Sequence, residues 1–104
     1  MTGPLKPGQL DAVIHERARL AIVSALAVAP EMSFNELKRS LGLTDGNLAA
    51  HSRTLLEAGY IEVAKSFRDK RPLTIMRLTP KGRAAFQKYL HTLRRIVGTG
   101  GGTA

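Results

Sequence analysis

The stretch Thr44-Asp-Gly-Asn-Leu-Ala-Ala-His-Ser-Arg-Thr-Leu-Leu-Glu-Ala-Gly-Tyr60 decides the fold, because it predicts a short helix with one buried and one exposed side. Thr44 is suited to cap the helix N-terminus, and Gly59 stands where helices often end in a left-handed residue. We therefore expect a helix from about 45 to 58. At about 100° per residue, its inward side carries Leu48, Ser52 and Leu55.

The opposite side of this predicted helix is small and hydrogen-bonding rather than densely charged. Gly46 and Ala50 would let the helix lie deep in a groove, and Asn47 and Arg53 could then reach base edges, since the major groove of DNA admits an α-helix. Two alternatives stay open, because Thr44 can be a cap alone and Arg53 an ordinary surface residue. The helix residues predicted to contact DNA are Thr44, Asp45, Gly46, Asn47, Ala50, Arg53 and Thr54.

A second short helix precedes this one. Ser33-Phe-Asn-Glu36 has the spacing of a capping box, and Gly42 is placed to end the helix that begins there. Two short helices joined by a tight turn that contains glycine are typical of a helix-turn-helix unit. Such turns also join helices in proteins that do not bind DNA.

After Gly59 the apolar period changes from 3.6 to 2, which predicts a hairpin of strands 60–67 and 73–78. The loop between them is Arg68-Asp-Lys-Arg-Pro72. Because this tip follows the predicted recognition helix directly, its cations could contact phosphates of the same duplex. The alternative is a solvated basic loop. The predicted phosphate-binding residues are Lys65, Arg68, Lys70 and Arg71.

Two further helices carry more apolar surface than one small core needs. The first runs from His15 to Ala29 and is ended by Pro30, whereas the last opens at Thr79-Pro80 and reaches Val97. We expect both to contribute to a homodimer. The alternative is that the last helix folds back across its own domain. The predicted dimer interface comprises Leu10, Val13, Ile14, Ile22, Leu26, Tyr89, Leu90, Leu93, Ile96 and Val97.

Composition is consistent with one domain and a polyanionic partner. The 104 residues divide into a flexible arm at 1–9, a domain at 10–97 and a Gly-rich tail at 98–104. Lys and Arg number 16 against 8 acids, and the whole excess lies after residue 50, where eleven cations face three acids. A one-sided excess of this kind favours nucleic acid, although a merely soluble basic surface is possible.

Several classes of site and location are disfavoured. The chain contains no cysteine, which excludes disulfides and thiolate metal sites. His15, His51 and His91 are scattered over three predicted elements, so we expect no metal and no cofactor. Because there is neither a secretion signal nor an apolar run of about 20 residues, we expect a cytoplasmic protein without membrane contact.

The order of these elements resembles the winged-helix transcriptional regulators of the MarR/ArsR-like class over about residues 10–97. The matching segments are Glu16-Arg-Ala-Arg-Leu-Ala-Ile-Val, Phe34-Asn-Glu-Leu-Lys, Leu43-Thr-Asp-Gly-Asn-Leu-Ala-Ala-His, Leu56-Glu-Ala-Gly-Tyr-Ile and Arg77-Leu-Thr-Pro-Lys-Gly-Arg.

The resemblance implies a mostly helical α+β fold, a winged helix-turn-helix with a two- to three-stranded β-wing and a long C-terminal dimerisation helix. It also implies a homodimer on a near-palindromic DNA operator that regulates transcription, with 45–54 in the major groove and 68–71 as the wing.

The chain departs from the class at Ser52, where members usually have a leucine. This predicts either a thinner core or a hydroxyl bonded back to a helix carbonyl. The metal ligands of the ArsR-like sensors are also missing. We expect His51 to be a hydrogen-bonded structural residue rather than a base reader or a ligand.

Other functions fit the sequence less well. A winged-helix module that binds protein, with only non-specific DNA affinity, is the main alternative. RNA binding lacks a stacking platform, since the chain has three Phe, two Tyr and no Trp. Catalysis lacks a carboxylate pair, a Ser/His/Asp set and a Gly-rich phosphate loop. The sequence specifies neither the operator nor a small-molecule effector.

Overall fold

The computed structural model describes residues 6–101, which form four α-helices and one three-stranded antiparallel sheet of order β1-β3-β2. After a 3-10 turn at Pro7–Gln9, the elements are α1 (Arg17–Val28), β1 (Met32–Ser33), α2 (Phe34–Leu41), α3 (Asp45–Glu57), β2 (Ile61–Arg68), β3 (Arg71–Leu78) and α4 (Pro80–Gly101). This arrangement confirms the predicted winged helix-turn-helix with a long C-terminal helix.

The helix ends lie where local chemistry predicts them. Ser33 and Glu36 form a complete capping box at the start of α2, and Gly42, with φ of 66°, ends that helix. The hydroxyl of Thr44 accepts from the backbone N–H of Asn47 at 3.1 Å and so caps α3. Thr79 caps α4 in the same way, accepting from the backbone N–H of Gly82 at 2.9 Å.

The hairpin is longer than predicted and its turn is tighter. The strands continue to Arg68 and resume at Arg71, so the turn is only Asp69 and Lys70, both with positive φ (53° and 66°). Positive φ at both central residues matches the right-handed twist of the strands, which favours this turn over a five-residue loop. Pro72 lies inside β3, where β1 does not reach and only β2 pairs with it.

Both ends of the domain differ from the predicted boundaries. Helix α1 begins at Arg17 rather than His15, because the Glu16 carboxylate accepts from the backbone N–H of Arg19 at 2.8 Å and caps it there. Helix α4 runs past Val97 to Gly101, so the first part of the predicted tail is helical. The remainder of the predicted arm and tail, residues 1–5 and 102–104, lies outside the described residues.

The apolar side chains form two clusters that meet at α1. Ile22, Val23 and Leu26 of α1 lie in the main core with α2, α3 and the sheet. Leu20, on another side of α1, packs against the second cluster, whose buried members are Leu10, Ile14 and Tyr89. The two apolar sides of α1 are therefore both covered within one chain, and its second partner is α4 rather than another copy.

This packing corrects half of the predicted dimer interface. Five of the ten residues are buried within a single chain, at 0–8% exposure, and have no surface to offer a second copy: Leu10, Ile14, Ile22, Leu26 and Tyr89. The first turns of α4 pack on their own domain through Phe86 and Tyr89. The other five residues keep exposed surface: Val13, Leu90, Leu93, Ile96 and Val97.

Gly82→Ala should destabilise the protein by roughly 3 kcal/mol, because a Cβ at Gly82 would lie 2.1 Å from the backbone oxygen of Tyr60. Gly98→Ala, in the same helix but with no atom within 4 Å of the new Cβ, should stabilise by about 0.5 kcal/mol. Urea denaturation followed by circular dichroism measures both. Equal effects of the two substitutions would contradict the packing of α4 on Tyr60.

Candidate nucleic-acid interface

Helix α3 is held by one side and leaves the other open. Leu48 and Leu55 are fully buried and Ser52 is 8% exposed. Gly46, Asn47, Ala50 and Arg53 are exposed, as the helical period predicts. The structure therefore places small residues and two hydrogen-bonding side chains together on one free surface.

The remaining α3 residues predicted to contact DNA have partners inside the domain. The Asp45 carboxylate is 2.8 Å from the Lys38 ammonium, an ion pair that joins α3 to α2. The Thr54 hydroxyl is 3.4 Å from the Ala50 carbonyl, and the Thr44 hydroxyl caps the helix. These three side chains therefore make contacts that hold α3 in place.

A polar contact that the sequence did not predict fixes α3 to α1. Arg19 Nη1 lies 3.1 Å from His51 Nδ1, and because a guanidinium only donates, this nitrogen must accept. The Glu16 carboxylate is 3.6 Å from the same nitrogen, so that contact is not an ion pair while His51 is neutral. His51 is thus a hydrogen-bonded residue that sets the position of α3. The contact links residues 32 apart, and no local pattern signals it.

Glu16 is held in its charged form by the same junction. The hydrogen bond from the backbone N–H of Arg19 lowers the pKa of the Glu16 carboxyl, against the opposing effect of burial. Arg19 also donates from Nε to the Val13 carbonyl at 2.6 Å. At the start of α1, Arg19 and Glu16 therefore both contact His51.

Of the two alternatives predicted for Ser52, the structure shows the thinner core and not the bond back to a helix carbonyl. Its hydroxyl is buried and has no hydrogen-bond partner in the described part of the chain, so the back-bond is missing and the core is thinner there. A groove of about 470 Å³ lies alongside, between α3 and the wing. The side chains that line it are Phe34, Ala49, Ser52, Arg53, Leu56, Val63, Lys65, Thr74 and Met76.

The wing gathers exposed cations at the end of the hairpin. Arg68 and Arg71 are paired directly across the two strands, with Lys70 in the turn between them. Like charges directly opposite each other destabilise a sheet, so a nearby anion would relieve this repulsion. Lys65 donates to the Thr74 hydroxyl at 3.1 Å and stays exposed. Arg77 does not belong to this group, because Glu31 and Glu62 lie 2.9 and 3.6 Å from it.

The end of α3 is tied to the N-terminal segment and to α4 through Tyr60. Gly59 adopts φ of 80° and turns the chain, and the Tyr60 hydroxyl then donates to the Asp11 carboxylate. The ammonium of Lys81 lies 5.9 Å from the centre of the Tyr60 ring. The hydrogen bond to Asp11, aided by burial, raises the pKa of Tyr60 to about 12.

Other kinds of site are not formed in the part that the structure describes. Within residues 6–101, no three His, Cys, Asp or Glu side chains converge as a metal site would require. No helix in the same range is long and apolar enough to cross a membrane.

A helix-turn-helix with a free α3 surface and a basic hairpin beside it defines a winged-helix DNA-binding protein. The chain belongs to the winged helix DNA-binding domain family, whose model matches residues 18–97. An uncharacterised protein of Methanocaldococcus jannaschii is 37% identical over 84 residues, which cover 81% of this chain and 91% of that protein.

Solved structures agree with this assignment. A transcriptional regulator homologue from Pyrococcus horikoshii superposes with a TM-score of 0.80 at 28% identity, over 84% of this chain and 86% of that chain. A MarR-family regulator from Silicibacter pomeroyi shares the fold, with a TM-score of 0.64 at 19% identity over 88% of this chain and 62% of its own. These neighbours share the winged-helix fold, which agrees with the resemblance to winged-helix regulators and with the family match.

Tyr60 should titrate near pH 12, and Asp11→Asn should return its pKa toward about 10 by removing the charged acceptor. Because the folded-state pKa is the higher one, the stability from this bond is complete below about pH 10 and lost as the pH rises through 12. Tyrosinate absorbance measures the titration, with Tyr60→Phe isolating the signal of Tyr89. An unchanged titration in Asp11→Asn would contradict the contact.

Proposed function

We propose that this protein is a sequence-specific regulator of transcription that binds double-stranded DNA as a homodimer, without catalytic activity. One observation carries the proposal: Arg53 of α3 and Lys65 of the wing line the same groove, so a single duplex can meet both elements. Small side chains at Gly46 and Ala50 allow α3 to lie close to the base edges.

Arg53 and Asn47 are the proposed base readers. An arginine can donate two hydrogen bonds to guanine, and an asparagine can pair with adenine, in each case through atoms in the major groove. Both side chains are exposed, and the six positions between them place them about 120° apart around α3 and about 9 Å apart along it. Together they would read neighbouring bases of one half-site.

The wing is proposed to hold phosphates rather than bases. Arg68, Lys70 and Arg71 carry three positive charges within four residues, and phosphate contacts of this kind set orientation and affinity without reading sequence. Neutralising the opposed pair of Arg68 and Arg71 would also remove the repulsion across the hairpin.

The dimer is proposed to form through the distal part of α4. The helix continues about 12 Å beyond Tyr89 to Val97 at 1.5 Å per residue, and Val97 is 63% exposed. Leu90, Leu93 and Ile96 are only half-buried against the second cluster. A two-fold pairing here would present two copies of α3 to half-sites about 34 Å apart.

A winged-helix module that binds protein remains the second candidate, and one observation favours it. Leu56, Val63 and Phe67 are 47%, 38% and 72% exposed along α3 and the wing, more apolar surface than phosphate binding requires. Such a module would bind all duplexes weakly and alike.

A duplex that the wild-type protein selects from a random pool serves as the specific site. Arg53→Ala should weaken binding to this duplex by about 1–3 kcal/mol and should weaken binding to scrambled duplexes less. Arg71→Ala should weaken binding to both kinds of duplex equally. It should also lower the slope of log affinity against log salt concentration by about one unit. Fluorescence anisotropy over a salt series measures this. Arg77→Ala is the matched control, since its cation is already paired with Glu31 and Glu62. Equal losses on all sequences for Arg53→Ala would remove that residue from the base readers.

Val97→Glu should shift the protein from dimer to monomer, because it would place a charge in the proposed apolar interface. Val28→Glu makes the same change at a valine that is 88% exposed at the end of α1, away from that interface. Sedimentation velocity distinguishes the two species. A monomeric wild-type protein, or a dimer that survives Val97→Glu, would contradict the interface.

A further inference from the structure

Half of the chain's cations lie in a region without any acid. From Lys70 to the end there are eight Lys and Arg and no Asp or Glu. The wing accounts for two of them and Arg77 for a third, so five belong to α4. A solvated helix normally mixes both signs of charge, and α4 does not.

Two of these five cations have local structural roles at the start of the helix. The Lys81 side chain lies beside Gly59 at the end of α3, where a cation favours the helix dipole. Arg83 Nη1 is 3.4 Å from the Ala27 carbonyl at the end of α1. The fold itself therefore explains Lys81 and Arg83.

The remaining cations form a separate surface further along α4. Lys88, His91, Arg94 and Arg95 are exposed, and their spacing of three, four and seven residues places them on one side of the helix, opposite Tyr89 and Leu93. Lys88 and Arg94 make no ion pair with a described residue. Three cations without an acid on the same helix therefore share one side of α4.

This surface, the α4 basic face, points away from the DNA proposed to lie under α3. Ile22 of α1 packs in the cluster that contains Leu48 of α3, and Leu20 packs in the cluster that contains Tyr89 of α4. Two residues along a helix turn by about 200°, so these side chains leave α1 on nearly opposite sides. Helix α1 thus lies between α3 and α4, and the exposed faces of α3 and α4 point in different directions.

The wing is also distant from the α4 basic face. Eight residues of β3 separate the turn from Leu78, and α4 starts immediately afterwards. At about 3.3 Å per residue, the tip lies roughly 26 Å from the start of α4. A straight duplex held by α3 and the wing therefore does not reach this face.

The chemistry of the face fits a phosphate backbone better than a membrane or a protein. An amphipathic helix binds a membrane by inserting its apolar side, but that side of α4 is buried in the domain at Tyr89, which is 2% exposed, and is proposed to meet a second copy at Val97. Protein interfaces usually centre on an apolar or aromatic anchor, and the exposed neighbours Ala84 and Gln87 supply none. Lys88 to Arg95 extend about 10 Å, the length of about three base-pair steps.

We propose that the α4 basic face is a second DNA-binding surface, which binds the phosphates of a duplex other than the one under α3. The protein would then bridge two DNA segments. The contact reads no sequence, and it depends on salt because each cation that meets a phosphate releases a counterion.

The test is a bridging assay with the full chain. One duplex is fixed on beads and saturated with protein, and the retention of a second, fluorescent duplex is measured over a salt series. Lys88→Glu/Arg94→Glu should reduce retention at least about tenfold and lower its salt slope by about two units, since two phosphate contacts are lost. Lys88→Arg/Arg94→Lys keeps the charges and should retain the second duplex as the wild-type protein does.

Binding of a single short duplex and thermal melting are measured in parallel. Both should stay close to wild type in Lys88→Glu/Arg94→Glu, which excludes misfolding and separates this surface from α3. If that variant bridges as well as the wild-type protein, the two recognition helices of a dimer are sufficient and the proposal is overturned. The bridging proposal is also overturned if the wild-type protein retains no second duplex. A wild-type protein that binds all sequences alike would instead contradict only the function proposed for α3.

Discussion

The packing of α1 between α3 and α4 is the constraint on which the rest of the structure depends. Ile22 and Leu26 bury one side of α1 against the helix-turn-helix, and Leu20 turns another side toward α4. The Arg19 contact to His51 adds a directed bond at this junction. Because α3 is held from behind in this way, its outer surface needs no internal partner and is free for a groove.

The same constraint separates the surfaces of the molecule. The face of α3 and the wing share one side, whereas the outer face of α4 lies on the other. The distal end of α4, where Val97 is 63% exposed, is the surface proposed to meet another copy. One small domain can therefore present the surface of α3 and the basic face of α4 in different directions.

Parts of the structure give up stability in the free protein. Arg68 and Arg71 oppose like charges across the hairpin, and the Ser52 hydroxyl is buried without a partner in the described chain. Departures from local consistency of this kind concentrate at functional sites. Both features border the surface proposed to meet DNA, as does the groove between α3 and the wing.

The sequence predicted those features that depend on neighbouring residues. The caps at Ser33 and Thr44 and the buried face of α3 follow from short spacings, and all are confirmed. The predicted five-residue loop at 68–72 was wrong. The actual turn is Asp69 and Lys70, and this dipeptide contains no glycine that would have indicated positive φ. An amphipathic pattern shows that a helix side is buried but not what buries it. The second apolar side of α1 was therefore predicted to meet another copy, whereas the structure shows that α4 covers it. The Arg19 contact to His51 joins distant segments and had no local signal.

The surface of α3 is proposed to read DNA sequence, and DNA binding by the wild-type protein is the test of that role. Fluorescence anisotropy would compare the duplex upstream of its own gene with a scrambled duplex of equal length, each over a salt series. If α3 reads sequence, the upstream duplex binds at least roughly a thousandfold tighter at physiological salt. Equal affinities that fall together as salt rises would contradict it, and would leave the basic wing as a non-specific electrostatic surface.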